Sequence, residues 1–140
     1  PWGRPDMAYF SFACKMLRGE TIEVFNEGKM RRDFTYVDDI VEAMMRLADM
    51  PPAEDPVSGA PYKIYNIGNN NPEKLADMIQ MIEEALGKQA IKTMKPMQPG
   101  DVPSTFADIQ ELTRDTGFRP STPLKEGIGK FVEWYKIYHA

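Results

Sequence analysis

Glycine and proline cut the apolar stretches of this chain into short helical and extended pieces in alternation. That punctuation points to a mixed α/β fold. Residues 6–18 (DMAYFSFACKMLR) read as a helix stopped at Gly19, a favoured left-handed cap. Its apolar residues Met7, Tyr9, Phe10, Phe12, Ala13, Met16 and Leu17 run nearly all round it, so cover on more than one side is expected. TIEVF (21–25) follows as a strand and NEGK (26–29) as a turn. FTYV (34–37) reads as a short extended piece. Asp38 is placed to cap a helix over 39–50 with Ile40, Met44 and Leu47 on one face, ended by Pro51 and Pro52. Residues 53–61 read as a mobile loop, and YKIYNIG (62–68) as a strand. Asn71 and Pro72 suit the cap and first position of a helix carrying Leu75, Met78, Ile79, Ile82 and Leu86, stopped at Gly87. AIKTM (90–94) is a further strand, and 95–105 a polar loop stiffened by Pro96, Pro99 and Pro103. Asp108 is expected to cap a short helix to Thr116. Thr122–Pro123 opens a last helix with the stripe Leu124, Ile128, Phe131, Tyr135 and Tyr138.

The 140 residues read as one domain without repeats, long enough to bury roughly two thirds of the unfolded surface. A net charge of −4 argues against a nucleic-acid partner, so any anionic ligand must be held by a local basic cluster. Cys14 is the only cysteine and His139 the only histidine. That excludes an internal disulfide and a Cys/His metal set, and it fits a reducing, cytoplasmic setting. His139, next to last, is expected to fray. No apolar run approaches the roughly 20 residues that span a bilayer, so no membrane partner is expected. The opening PWGRPDM lacks an initiator Met and reads as the interior of a longer protein.

Three constellations could carry chemistry. In KMRRDFTYVDD (29–39), Arg31 and Arg32 stand at the mouth of an extended piece, where alternation turns only one of them to a given ligand. An arginine fork suits phosphate oxygens. The same charges also suit a surface pair bridged to Asp33 or Glu27. In MQPGDVPSTFAD (97–108), Gly100 allows close backbone approach and Asp101 could accept from two vicinal hydroxyls. An ordinary Pro-Gly turn explains the same residues. In PWGRPDM, Arg4 precedes a helix N-terminus, where anions are favoured, and a solvated entry loop is equally compatible. The sequence has no glycine-rich dinucleotide turn, no Walker sequence and no Tyr followed four residues later by Lys.

PWGRPDM, IEVFNEGKMRRDFTYVDDI, YNIGNN and MQPGDVPSTFAD, in this order and spacing, resemble the C-terminal part of the UDP-glucuronate 4-epimerases, nucleotide-sugar epimerases of the extended short-chain dehydrogenase/reductase superfamily. The resemblance covers essentially the whole chain. It implies an α/β fold forming the small substrate-binding domain, with short strands packed against several helices. The NAD-binding Rossmann domain and the catalytic Tyr and Lys would lie in an N-terminal domain absent here. In such enzymes a hydride leaves sugar C4 for NAD⁺, the 4-keto intermediate turns over, and the hydride returns to the other face.

Carried over residue by residue, the resemblance implies that Arg32 binds the pyrophosphate, with Asp33 orienting the loop or pairing locally. Asp101 would bind the uridine ribose, and the strand from Glu23 to Phe25 would meet the uracil through its backbone. Arg4 would lie near the sugar, the glucuronate carboxylate or the adjoining phosphate. Relatives acting on neutral hexoses often have a second phosphate-binding Arg where this chain has Gln98, and Gln there suits the hexuronate branch. Cys14–Lys15 departs from the branch, whose Lys stands one position earlier. The implied partners are a UDP-sugar and the protein's own Rossmann domain, in a homodimer whose contacts lie chiefly in that domain. Capsule or surface polysaccharide supply is the usual bacterial setting. Another UDP- or dTDP-hexose epimerase or dehydratase, or a non-catalytic UDP-sugar-binding module, is the alternative.

Overall fold

The computed structural model describes residues 7–139, and the expectation for Arg4 lies outside them. The element order is α1 (Ala8–Arg18), β1 (Ile22–Phe25), a 3-10 turn (Asn26–Gly28), β2 (Arg31–Arg32), α2 (Val37–Ala48), β3 (Glu73–Lys74), α3 (Leu75–Leu86), β4 (Lys92–Lys95), α4 (Gln110–Thr116) and α5 (Leu124–His139). It is a mixed α/β architecture of helices and short strands. The described residues fall into two compact units.

The first unit comprises residues 7–32, 72–105 and 123–139. β1 and β4 pair in parallel, Ile22 opposite Lys92 through Phe25 opposite Lys95. Ile22 and Val24 turn inward, while Glu23 stays exposed. Met78, Ile79 and Ile82 of α3 and Ile128, Val132 and Tyr135 of α5 bury their apolar stripes. α1 contributes Phe12, Ala13 and Met16. Its Tyr9 and Phe10 remain half-buried, with ring contacts to Phe131 at 5.0 Å and to Tyr135 at 5.3 Å. The expected C-terminal stop holds at Gly19. Glu20 N–H donates to Lys15 O and Gly19 N–H to Met16 O, the pairing that closes a helix through a left-handed residue. Glu83 is buried. Burial pushes its carboxyl up, but the N–H of Ala90 and the ammonium of Lys92 outweigh this and hold it below the ordinary range.

Three local expectations are corrected in this unit. α3 begins at Leu75 rather than Pro72, because Glu73–Lys74 pair with Arg31–Arg32 as a short antiparallel ladder. Tyr138 lies on the outer face of α5 and Val132 replaces it in the buried stripe. His139 is not frayed: it ends α5 with its ring stacked on Tyr135 at 4.6 Å.

The second unit comprises residues 33–71 and 106–122, with α2 against α4. α2 starts two residues earlier than expected, with Tyr36 at its cap and Asp38 and Asp39 in the first turn, where the helix dipole favours them. Ala43 is the buried residue of its face, and Met44, expected there, is exposed. Residues 62–68 form no ladder: a strand needs a neighbour, and none of the described residues supplies one. Ile109, not Asp108, stands at the cap of α4, although Asp108 accepts the Gln110 N–H at its entry. The 53–61 loop closes on itself, with Asp55 accepting from the N–H groups of Val57 and Ser58 and from the Ser58 hydroxyl.

Candidate functional site: an arginine–aspartate pair on a three-piece ladder

The first unit brings the two charged constellations together. Residues 31–32 form the middle of three short extended pieces. On one side they pair with Glu73–Lys74. On the other, Arg31 N–H donates to Pro103 O (2.8 Å) and Thr105 N–H donates to Arg31 O (3.2 Å). The turn leading in is forced. Asn26, Glu27 and Gly28 all have positive φ, and a Cβ on Gly28 would sit 3.0 Å from the Ala76 Cβ. Gly28 is therefore required by both backbone conformation and space.

The Arg32 guanidinium is fixed from two sides. Its Nη1 donates to Arg31 O (2.8 Å) and Val102 O (2.9 Å), and its Nη2 donates to Asp101 Oδ1 (2.7 Å). Asp101 Oδ1 also accepts the Val102 N–H at 2.8 Å. Asp101 is presented by a turn over Gln98, Pro99 and Gly100. Asp101 N–H donates to Gln98 O, and Gly100 has φ +83°, as the third residue of a type II turn requires. The two charged side chains are 28% and 31% exposed, neither loose on the surface nor sealed from a ligand.

The other expected residues are placed as follows. Glu23 is exposed on β1 and pairs with Lys95 at 3.4 Å. Phe25, half-buried, ends the same strand. The Gln98 side chain is exposed. Arg31 points elsewhere than Arg32, its Nη1 donating to Pro72 O. The expected alternatives for the arginine pair do not occur: Lys29 takes Glu27, and Arg32 takes Asp101.

In the second unit, Asp33 orients loop backbone, as expected. Its Oδ2 accepts the N–H groups of Asn70 and Ala107, both at 3.0 Å, and its Oδ1 accepts that of Asn71 at 3.4 Å. Gly68 is the partner that sequence reasoning passed over. A Cβ there would lie 2.5 Å from the Ala107 Cβ and 2.8 Å from Asp33 Oδ2. The glycine in YNIGNN was its only sequence signal. No group of His, Cys, Asp and Glu side chains suited to a metal ion exists among the described residues.

Residues 1–68 match the model of the NAD dependent epimerase/dehydratase family. A curated relative, Protein CapI of Staphylococcus aureus, is 49% identical over 99% of this chain and 45% of its own length. The probable UDP-glucuronate 4-epimerase of Rhizobium meliloti is 45% identical over 96% of this chain and 43% of its own. The chain is similar to members of the epimerase/dehydratase family over these stretches. Among solved structures, UDP-glucuronic acid 4-epimerase from Bacillus cereus, in complex with UDP-glucuronic acid and NAD, superimposes with a TM-score of 0.83 at 27% identity. That match covers 99% of this chain and 42% of that one. The chain thus spans less than half the length of these relatives and corresponds to the C-terminal part of the extended epimerases.

Proposed function

We propose that this chain is the UDP-binding C-terminal part of a nucleotide-sugar epimerase that interconverts UDP-glucuronate and UDP-galacturonate. The observation that carries the reading is the Arg32–Asp101 pair. A permanently charged planar donor and a carboxylate are held side by side at a half-exposed site, as the diphosphate and the ribose of one nucleotide require. In this reading Arg32 binds the pyrophosphate and Asp101 the ribose. The backbone of β1 from Glu23 to Phe25 meets the uracil. Gln98 would take the place of a second phosphate contact, and Arg4 is assigned a role toward the sugar, its carboxylate or the adjoining phosphate. Similarity to an epimerase solved with UDP-glucuronic acid supports the substrate class.

The division of labour follows from binding energy. An intermediate that must turn over needs a firm hold on the remote nucleotide and a loose hold on the hexose. This chain's residues supply the firm hold. They do not fit NAD: the sequence offers no glycine-rich turn to cradle a dinucleotide and no Tyr-x-x-x-Lys pair. NAD and the reacting groups are therefore assigned to an N-terminal Rossmann domain in a homodimeric, cytoplasmic enzyme.

The test is titration of the intact protein with UDP and UDP-glucuronate, with conversion to UDP-galacturonate followed in parallel. Charge-assisted hydrogen bonds contribute about 1.5–3 kcal/mol each, so Arg32→Ala should weaken UDP by roughly ten- to a hundredfold. Unchanged affinity at Arg32→Ala, or preference for UDP-glucose over UDP-glucuronate, would overturn the phosphate role or the substrate respectively.

A further inference from the structure

We infer that Asp101 has a second task beyond any ribose contact: it is the positioning residue that aims Arg32 at the diphosphate. The inference rests on the UDP-binding reading above and concerns how that site is built. A guanidinium has five N–H donors in one plane. Three on Arg32 are used, two from Nη1 to the carbonyls of Arg31 and Val102 and one from Nη2 to Asp101 Oδ1. The two left over among the described residues sit on Nε and Nη2, which share one edge of the plane. With the Nη2 hydrogen nearer Nη1 assigned to Asp101, that edge is the bidentate face that two oxygens of a phosphate match. With both carbonyls bound at Nη1, Asp101 is the side chain that fixes rotation of the fork and decides where the open edge faces.

Asp101 is divided in the same way. Oδ1 is taken by Arg32 and by the Val102 N–H. Oδ2 has no hydrogen-bond partner among the described residues, so it is left to accept from a hydroxyl. One carboxylate therefore joins the two ends of the nucleotide, Oδ2 toward the ribose and Oδ1 toward the group that holds the phosphates. The type II turn at Pro99–Gly100 fixes the backbone that carries this carboxylate. Direct ribose contact alone would not call for the short Oδ1 link to Arg32.

The experiment compares Asp101→Asn with Asp101→Ala in the intact protein, titrated with UDP and with 2′,3′-dideoxy-UDP, which has the diphosphate but no ribose hydroxyls. Both substitutions remove the same charge, so their difference reads the acceptor that Asn retains for Arg32 and for the Val102 N–H. With dideoxy-UDP, the Ala variant should bind about three- to tenfold more weakly than the Asn variant, the scale of one hydrogen bond's net contribution. In an Arg32→Ala background that difference should vanish, a result that general loosening of the turn would not produce. Thermal unfolding of each variant confirms that it is folded.

Equal binding of dideoxy-UDP by the Asn and Ala variants, alongside a loss for UDP, would overturn the positioning role and leave the UDP reading intact. A difference that persists without Arg32 would overturn it as well. Wild-type binding of UDP with none of the dideoxy form would place the whole contribution of Asp101 on the hydroxyls, with the same consequence. A wild-type protein that binds neither nucleotide would remove the UDP reading itself.

Discussion

Asp33 and Asp101 are two aspartates in the two compact units, and they are satisfied in opposite ways. Asp33 spends both oxygens on three backbone N–H groups from two loop segments, with Gly68 leaving room for the carboxylate. Asp101 spends one oxygen, and its arginine partner keeps an open edge. A carboxylate whose acceptor capacity is consumed by backbone is a fastener. One left half-used beside an under-used guanidinium is ready for a ligand. Residue type alone does not separate the two, since each is an Asp in a loop.

The largest expected effect follows at Asp33. Asp33→Ala removes the shared acceptor of three backbone N–H groups, that of Ala107 partly buried, and should lower the unfolding free energy by about 2–3 kcal/mol. Asp101→Ala breaks a half-exposed ion pair and should cost less than about 1 kcal/mol of stability. Urea unfolding of both variants makes the comparison, and a larger stability loss at Asp101 than at Asp33 would break it.

Gly68→Ala comes next. The added methyl meets the Ala107 Cβ at 2.5 Å and Asp33 Oδ2 at 2.8 Å, so backbone or carboxylate must shift. A cost of about 1–3 kcal/mol is expected for such overpacking. Combined with Asp33→Ala the penalty should fall short of the sum, because the two share one contact. A fully additive double variant would mean that Gly68 serves something other than room for the Asp33 carboxylate.

The sequence carried the helices and the β1 and β4 strands because local rules set them: apolar steps of three and four, and a glycine just past the end. It did not carry the three-piece ladder. Nothing local in Pro72–Lys74 marks two residues as strand rather than first turn; the pairing with Arg31–Arg32 decides, and that is a contact across 41 to 43 positions of chain. The candidate site was legible as residue types, Arg32 and Asp101. Their mutual bond was not, since hydrogen-bond partners 69 residues apart follow from tertiary placement. Residues 62–68 have the composition of a strand, yet no described residue lies in register beside them.

Glu83 extends the comparison to a buried, consumed carboxylate within the first unit. Its folded carboxyl lies below the ordinary value, since the Ala90 N–H and Lys92 outweigh the upward push of burial. The stabilisation this implies is full above the unfolded value, near pH 4.5, and is lost as pH falls through the folded one. Glu83→Gln should therefore be less stable than wild type near neutrality and lose less on acidification. Unfolding midpoints at neutral pH and in mild acid decide it. Parallel acid profiles for the two proteins would mean that Glu83 is no fastener, and that full satisfaction of a carboxylate is a poor guide to its role here.

The smallest effect, and the sharpest check on facing, belongs to Arg31. It shares a two-residue strand with Arg32, and its backbone does much of its work, pairing with Pro103 and Thr105 on one side and Lys74 on the other. Those bonds survive truncation of the side chain. The side chain is exposed and, among the described residues, makes one bond, Nη1 to Pro72 O. A single exposed hydrogen bond contributes about 0.5 kcal/mol, the low end of the usual range. Arg31→Ala should therefore unfold within about that margin of wild type and change UDP affinity by less than about threefold, against ten- to a hundredfold at Arg32. Titration of the two variants side by side reads the ratio directly. Equal losses would mean that the ladder does not separate the two guanidinium groups. A larger loss at Arg31 would reverse the assignment, making the arginine bound to Asp101 the structural one and its neighbour the ligand's.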